Sequence, residues 1–358
     1  MGVKMLTLNL SIFGEKYTGM GVYAMHVRQI LKHNYDVQEV IANRKLPDIN
    51  MEKTIFAPYN ITTGYSKTAS LRRLYYLWQL PHKHELGFVY NPTHHGILGY
   101  KNQLITIHDL IAIHYPKQHK MQYWYFKYIV PKLIKECKGI IAVSETTKDD
   151  ICRYYKVSPD FVYVVPNAMD NNTFIEDKCE DKGFLLCIGA AYQHKNIHEL
   201  LSNYKLWSDK YRLVIASAKG VYREYLERLV KEYNLEDHVE LYGYVSDEKL
   251  AQLYRECSAL VYPSKWEGFG IPPLEAMRYG KPIILSDIKI FREIYEDTVI
   301  YVTLGNHDSW EKAFQKLHNI NETVNLKCKY RGVLDKYSWD SNEEKIQTII
   351  ANIALSAK

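Results

Sequence analysis

Two glutamates, Glu267 and Glu275, stand with seven residues between them in the part of this sequence that is richest in chemical signals. The apolar run 259–262 leads into a loop with Gly268 and Gly270, and two prolines then predict a helix whose first turn holds Glu275. Glycines let backbone N–H groups approach a ligand, and a helix N-terminus favours an anion such as a diphosphate. Carboxylates would repel that anion, so we expect the glutamates to accept hydrogen bonds from hydroxyls of a sugar or ribose. Either glutamate alone would suit a structural role, and it is the assembled strand, loop and helix that favour a binding site.

The elements that must position this loop alternate along the whole chain. Short β-rich runs such as MLTLNL, QLITIHD, FLLCIG and ALVYPS are separated by helical stretches, which predicts an α/β fold of parallel sheets covered on both faces. The alternation restarts after a break at residues 166–181, and a length of 358 residues at ~150 per domain also favours two domains. Ligands of such doubly wound sheets bind at the carboxyl ends of the strands.

Segment 263–287 resembles the E-x7-E signature of the retaining family-4 glycosyltransferases of GT-B fold. Further segments resemble that family in the family's own order: TGMGVYAMHVRQIL, TIHDLIAIHYP, AVSETTKDDICRYYKV, VYVVPNAMD, CIGAAYQHKN, LYGYVSDEKLAQLYRECSALVYPS and the closing YSW with its helix. The resemblance implies two Rossmann-like domains that face a central cleft. Residues 1–166 would form the acceptor-side domain, 167–336 the nucleotide-sugar donor domain, and 337–358 a tail helix crossing back to the first.

The resemblance also implies roles for single residues. His108 would contact a hydroxyl of the donor hexose near the reacting carbon, as a catalytic residue together with Glu267. Lys195 would hold the donor diphosphate, because an ammonium can stabilise the charge that develops as the phosphate leaves. Gly19 and Gly21 match the acceptor-side glycine loop, whose backbone could approach the donor phosphates.

The donor-binding set is completed by Gly268, Phe269, Gly270 and Glu275, together with the strand end at Tyr244 and Val245 that would border the nucleobase. An ordinary strand–loop junction explains Tyr244 and Val245 equally well. The sequence departs from the family at Ala190, where many relatives carry an arginine five residues before the lysine. His194, Lys265 or an arginine from elsewhere could supply the missing cation.

The resemblance implies hexosyl transfer that retains the anomeric configuration, with no metal or other cofactor required. GDP-mannose is the first choice of donor, since the segments look most like mannosyltransferases of bacterial surface polysaccharides, and the acceptor would be a glycan or a lipid-linked saccharide. UDP-sugars, GDP-fucose and dTDP-rhamnose stay open, as do a non-catalytic nucleotide-sugar-binding homologue and a sugar-nucleotide epimerase. The pair His194 and His198 has no third ligand, TGMG is not a dinucleotide fingerprint, and the six cysteines show no CxxC spacing.

Charge is distributed unevenly between the halves of the chain. Residues 1–166 carry 21 Lys and Arg against 12 Asp and Glu, whereas the whole chain carries only +5. An amphipathic helix with a kink at Pro131 is predicted over 120–138. One arc of this helix forms a basic stripe of Lys120, Lys127, Lys135 and Lys138 with Trp124 and Tyr128. The opposite arc is apolar and consists of Phe126, Ile129, Val130, Leu133 and Cys137. We expect a cytoplasmic protein, without a nucleic-acid partner, that contacts the anionic inner face of the cell membrane through this stripe. A solvated basic face is the alternative.

Overall fold

Two parallel sheets organise the part of the chain that the computed structural model describes, which is residues 5–15, 19–169, 173–175, 180–320 and 326–355. The chain divides into two compact units. Unit 1 runs to Ala168 and includes the chain from Trp339 onward, and unit 2 runs from Met169 to Ser338. This architecture confirms the predicted α/β class with two doubly wound, Rossmann-like units.

The sheet of unit 1 has seven parallel strands in the order β3-β2-β1-β4-β5-β6-β7. Its strands are β1 (Leu6–Leu10), β2 (Val37–Ile41), β3 (Thr54–Phe56), β4 (Phe88–Asn91), β5 (Gln103–Ile107), β6 (Gly139–Ala142) and β7 (Val162–Val164). Most of the strands are aliphatic runs whose residues are nearly all buried, as expected where helices cover both faces of a sheet. The three-residue strand β3 was not predicted, because so short a run carries no alternation.

The helices that cover this sheet are α1 (Gly19–Asn34), α2 (Ala69–Lys83), α3 (Ile111–His114), α4 (Lys120–Tyr128), α5 (Val130–Glu136) and α6 (Glu145–Tyr155), with 3₁₀ turns at Met51–Lys53, Tyr59–Ile61 and Pro159–Phe161. The helix predicted over 120–138 is divided at Ile129, and Pro131 lies in the first turn of its second half. Proline has no N–H and collides with the carbonyl one turn earlier, which explains the break. The predicted apolar arc packs inward as expected, since Phe126, Val130 and Leu133 are buried.

The sheet of unit 2 has six parallel strands in the order β10-β9-β8-β11-β12-β13. Its strands are β8 (Phe184–Ile188), β9 (Arg212–Ala216), β10 (Val239–Leu241), β11 (Ala259–Tyr262), β12 (Ile283–Ser286) and β13 (Ile300–Val302). Its helices are α7 (Ile197–Ser202), α8 (Gly220–Glu232), α9 (Asp247–Glu256), α10 (Ile271–Arg278), α11 (Lys289–Tyr295), α12 (His307–His318) and α13 (Leu326–Lys336), with 3₁₀ turns at Gln193–Lys195 and Tyr204–Leu206.

The last helix, α14 (Trp339–Leu355), packs against α1 within unit 1. The Trp339 ring stacks on His26 with centroids 4.6 Å apart and lies 5.4 Å from the Tyr23 ring. Asn342 donates a hydrogen bond to the carbonyl oxygen of Pro166 at 2.6 Å. Polar and aromatic contacts therefore hold the start of α14 against the rest of unit 1.

Candidate functional site

The strand order of unit 2 places two loops side by side. From β8 the chain winds outward through β9 and β10, and it then returns to β11 on the other side of β8. The carboxyl ends of β8 and β11 therefore flank the switch point of the sheet, which is where ligands of open α/β sheets bind. Lys195 follows β8 and Glu267 follows β11, so the topology brings together residues 72 positions apart.

The backbone holds these two loops against each other. The loop after β8 ends in the 3₁₀ turn Gln193–Lys195, and Asn196 then takes a left-handed conformation with φ of 56°. From the other loop, the Lys265 N–H donates to the carbonyl oxygen of His194 at 2.7 Å. This bond fixes the position of the Lys195 backbone relative to the loop that carries Glu267.

Lys195 and Glu267 form an ion pair. The Lys195 Nζ donates to Glu267 Oε1 at 2.6 Å and to the Tyr262 hydroxyl at 2.9 Å, and the side chains of the pair are only 16% and 11% exposed. Burial would lower the pKa of Lys195, but the Glu267 carboxylate and Tyr262 raise it above its usual value. Burial would raise the pKa of Glu267, but Lys195 lowers it. Both groups are therefore charged at neutral pH.

Gly270 gives the loop before α10 its shape. Its φ of +96° lies in the left-handed region, and an added Cβ would come within 2.8 Å of the Phe291 ring. Beside it, Phe269 is buried with its ring 5.4 Å from Tyr337 in an edge-on contact, and Gly268 is half-buried. Phe269 is thus an anchor of the loop, whereas the sequence suggested only that it binds the donor.

Glu275 lies in the second turn of α10, which corrects the prediction of a first-turn position. The helix begins at Ile271, one residue before the prolines, so Glu275 is its fifth residue. Its Oε2 accepts a hydrogen bond from the Tyr254 hydroxyl of α9 at 2.5 Å. Burial raises the pKa of Glu275, although the bond from Tyr254 opposes the shift. The structure thus pairs Glu267 with Lys195, and Glu275 with Tyr254.

The remaining predicted donor residues occupy different environments. Tyr244 follows β10 and is 85% exposed, and Val245 is half-buried. Ala190 is completely buried in the hydrophobic core of unit 2 with Cys187 and Ile197. A guanidinium at position 190 would need that core to open, which accounts for the small residue there.

In unit 1, His108 follows β5 and is 8% exposed. Its Nε2 donates to the carbonyl oxygen of Pro92 at 3.0 Å, and the Tyr23 ring meets it edge-on at 4.9 Å. Burial lowers the pKa of His108 to about 4, against the effect of the Pro92 bond. The ring is therefore neutral at pH 7, and Nδ1 is the nitrogen that can accept a hydrogen bond from a hydroxyl.

Gly19 and Gly21 lie in the first turn of α1 instead of a loop. Gly21 is buried, whereas an added Cβ at Gly19 would meet no atom within 4 Å. Backbone N–H groups in a helix's first turn have no intrahelical acceptor, so this turn keeps donors available. Lys16, Tyr17 and Thr18, which precede it, lie outside the described residues.

The sequence did not single out Tyr262 or Tyr254. Tyr262 is the last residue of β11 and binds Lys195, and Tyr254 binds Glu275 from a neighbouring helix. A fully apolar strand does not reveal which face a tyrosine takes, so only the sheet order could have identified Tyr262. Among the described residues, no group of three or more His, Cys, Asp or Glu side chains could hold a metal ion.

Comparisons with known proteins cover nearly the whole chain. A family described as glycosyl transferases group 1 matches residues 169–332, and one described as glycosyltransferase family 4 matches residues 17–173. The O-antigen chain mannosyltransferase RfbU of Salmonella typhimurium is 33% identical over 356 residues, which cover 97% of this chain and 99% of that protein. O-antigen chain mannosyltransferase B of Escherichia coli is 29% identical over 208 residues, covering 54% of this chain and 55% of that protein.

Solved structures agree on the fold. The sucrose-phosphate synthase of Thermosynechococcus elongatus matches with a TM-score of 0.74 at 17% identity, and the match covers 99% of this chain and 100% of that one. At this identity the likeness concerns the arrangement of the sheets and helices alone.

Proposed function

The chain belongs to the family-4 glycosyltransferases of GT-B fold, and from this premise we propose that it transfers mannose from GDP-mannose to a lipid-linked saccharide. We further propose that the transfer retains the anomeric configuration and needs no metal ion. The similarity to O-antigen chain mannosyltransferases supports the choice of sugar. The proposed donor therefore carries mannose on a guanosine diphosphate.

The observation that carries the proposal is the Lys195–Glu267 pair at the switch point of unit 2. A diphosphate that reached this edge would meet a protonated lysine held in place by Tyr262. The incoming phosphate would take over hydrogen bonds of Lys195, and the Glu267 carboxylate would then be released to accept a hydrogen bond from a sugar hydroxyl. The ion pair thus keeps Lys195 protonated and Glu267 deprotonated, which are the states that donor binding requires.

The proposed reaction is a displacement on one face of the sugar. The bond between the anomeric carbon and the donor phosphate oxygen breaks, and a bond from the acceptor oxygen to that carbon forms on the same face. The acceptor hydroxyl passes its proton to the leaving phosphate oxygen, and GDP departs. Lys195 stabilises the developing phosphate charge, and the neutral His108 accepts a hydrogen bond from the sugar through Nδ1. Glu275, with Tyr254, would bind the ribose.

Thermal unfolding with nucleotide diphosphates tests the donor assignment. GDP should raise the unfolding temperature of the wild-type chain more than UDP or dTDP does. Lys195→Met should remove most of the shift, whereas the exposed Lys205→Met in the same unit should keep it. Release of labelled mannose from GDP-mannose, lost in Lys195→Met, would establish turnover, and NMR of the product would report the anomeric configuration. A larger shift with UDP than with GDP would exclude the mannose donor.

A further inference from the structure

A groove of about 450 Å³ runs between α2 and α4 of unit 1, and none of the residues proposed above to bind the donor lines it. Its walls are apolar, with Leu71 and Leu74 on one side and Met121 and Ile129 on the other. The rim is unusually exposed for such residues, because Leu71 is 68% and Met121 60% accessible. Exposed apolar patches of this kind mark binding surfaces in soluble domains.

The floor of the groove carries a buried cation. Arg73 is only 7% exposed, and its guanidinium donates to the carbonyl oxygen of Ile61 and to Thr63 Oγ1, both at 3.2 Å. Across the described ranges, no carboxylate lies within ion-pair distance of Arg73. A buried charge without a counter-ion is costly, and its cost falls when an anion binds beside it.

Two histidines beside Arg73 do not supply that anion but can contact one. His94 and His95 line the groove, and their rings meet edge to face with centroids 4.2 Å apart. Burial lowers the pKa of both rings, and Arg73 contributes to each shift, so both are neutral at pH 7. The buried His95 Nδ1 has no hydrogen-bond partner among the residues that the structure describes.

The same loop joins the groove to His108. His108 is hydrogen-bonded to Pro92, and His94 and His95 lie two and three residues after Pro92 in the chain. His94 is close enough to Arg73 and to His108 to interact electrostatically with both, so the groove adjoins the surroundings of His108, while its rim is exposed. Trp124 and Tyr128, whose stacked rings are 5.1 Å apart, extend that rim with an apolar surface.

We propose that this groove binds the isoprenoid diphosphate of a lipid-linked acceptor, with the diphosphate on Arg73 and the hydrocarbon chain along Leu71, Met121 and Trp124. The inference rests on the proposed function, since it assigns a site to the acceptor of that reaction. A cationic floor under apolar walls matches an anionic amphiphile, and it matches neither a neutral sugar nor a free phosphate. The exposed Lys120 and Lys127 on α4 add positive charge beside the rim.

Farnesyl diphosphate is the probe, followed by quenching of tryptophan fluorescence below its micelle concentration. We expect wild-type chain to bind it at least tenfold more tightly than farnesol, which lacks the anion, or inorganic diphosphate, which lacks the chain. Arg73→Met should weaken binding at least tenfold, whereas Arg72→Met, on the same helix but exposed, should stay within twofold of wild type. Equal binding by wild type and a folded Arg73→Met, or equal binding of all three probes, overturns the proposal.

A second pair of variants serves if Arg73→Met fails to fold. Leu71→Glu places a negative charge on the rim at an exposed position, so it should fold and repel the diphosphate, with a loss of at least tenfold in affinity. Tyr75→Glu carries the same charge on the same helix outside the groove and should bind as wild type does. Unchanged binding by Leu71→Glu contradicts the assignment, and so does tight binding of a soluble mannose oligosaccharide that depends on Arg73.

The GDP-induced thermal shift separates this inference from the proposed function. The groove variants keep Lys195 and Glu267, so GDP should stabilise them as it stabilises wild type. Loss of farnesyl diphosphate binding with the GDP shift intact is the expected result. A chain that responds to GDP but never binds the isoprenoid would refute the acceptor site alone, and one that ignores GDP would refute the donor assignment.

Discussion

Lys195 and Glu267 neutralise each other at an edge where a doubly charged ligand is expected. Removing either partner leaves a charge that is more than four-fifths buried, so each side chain protects the fold while the donor is absent. Glu275 differs, because its partner is the neutral hydroxyl of Tyr254. The two glutamates of the signature therefore start from different electrostatic states, which predicts different consequences for their removal.

Glu275→Ala should weaken donor binding, whereas Glu267→Ala should mainly lower turnover. Glu275 is fixed on a helix where it would bind the ribose, and Glu267 stands on the loop where it would contact the reacting sugar. Each loss should be on the order of 1.5–3 kcal/mol, the value of a hydrogen bond to a charged group. Measured Kd for GDP and kcat for GDP-mannose would separate the effects, with the exposed Glu236→Ala as control. Kinetics identical to wild type in both variants would end the assignment.

Three histidines of unit 1, the buried His94 and His108 and the half-buried His95, should make the protein sensitive to mild acid. Burial lowers the pKa of His108 to about 4 and of His94 to about 3, and it lowers that of His95 as well. The unfolded chain binds these protons near pH 6.5 and the folded chain does not, so stability is complete above pH 6.5 and falls towards pH 4. Unfolding temperatures between pH 5 and 7 should show this slope. His108→Gln should reduce it, and a reduction of equal size in the exposed His33→Gln would contradict the explanation.

The candidate site was predictable at the residue level only where a sequence signature existed. Glu267, Lys195 and His108 come from segments of recognisable order, and unit 2 brings the first two into contact. The partners Tyr262 and Tyr254 could not be predicted, because they depend on which strands and helices become neighbours. The position of Glu275 was mistaken by one turn, since the left-handed Gly270 lets α10 begin before its prolines.

At the level of elements, the alternation of apolar runs predicted the strands well and the helix ends less well. Strands such as β8 and β11 are buried at every residue, so their composition alone identifies them. The end of α4 depends on a single proline two residues beyond the break, and the start of α10 depends on the φ angle of one glycine. Such local backbone chemistry sets boundaries that hydrophobic periodicity cannot locate.

Gly270→Ala should destabilise unit 2 more than Gly305→Ala does. Both glycines have positive φ, +96° and +75°, but only at Gly270 would a Cβ collide with the ring of the buried Phe291. The left-handed conformation costs an alanine roughly 1–2 kcal/mol at either position, and overpacking adds about 1–3 kcal/mol at Gly270. Unfolding temperatures measure the difference. Equal losses would show that the loop adjusts and that its shape does not depend on Phe291.

For the molecule as a whole, the excess of positive charge is concentrated in the first half of the chain. Residues 1–166 hold nearly half of the 46 basic residues but only 12 of the 41 acidic ones. The exposed members of the predicted stripe include Lys120, Lys127 and Lys135, and Trp124 is 57% exposed beside them. No helix among the described residues is long and apolar enough to cross a membrane. Contact with a bilayer would therefore depend on surface charge and aromatic rings, which makes it sensitive to salt.

We predict that the wild-type chain sediments with anionic liposomes at low salt and is released at high salt. Each lysine near an anionic surface contributes on the order of 1 kcal/mol, so Lys127/Lys135/Lys138→Glu should stay in the supernatant. Lys205/Lys210/Lys312→Glu changes the net charge equally on unit 2 and should still sediment. Equal loss in both variants would indicate a general effect of net charge, and a wild-type chain that never sediments would leave the stripe as a solvated basic face. Since the farnesyl diphosphate assay contains no bilayer, the α2–α4 groove can bind its ligand even if the stripe does not contact membranes.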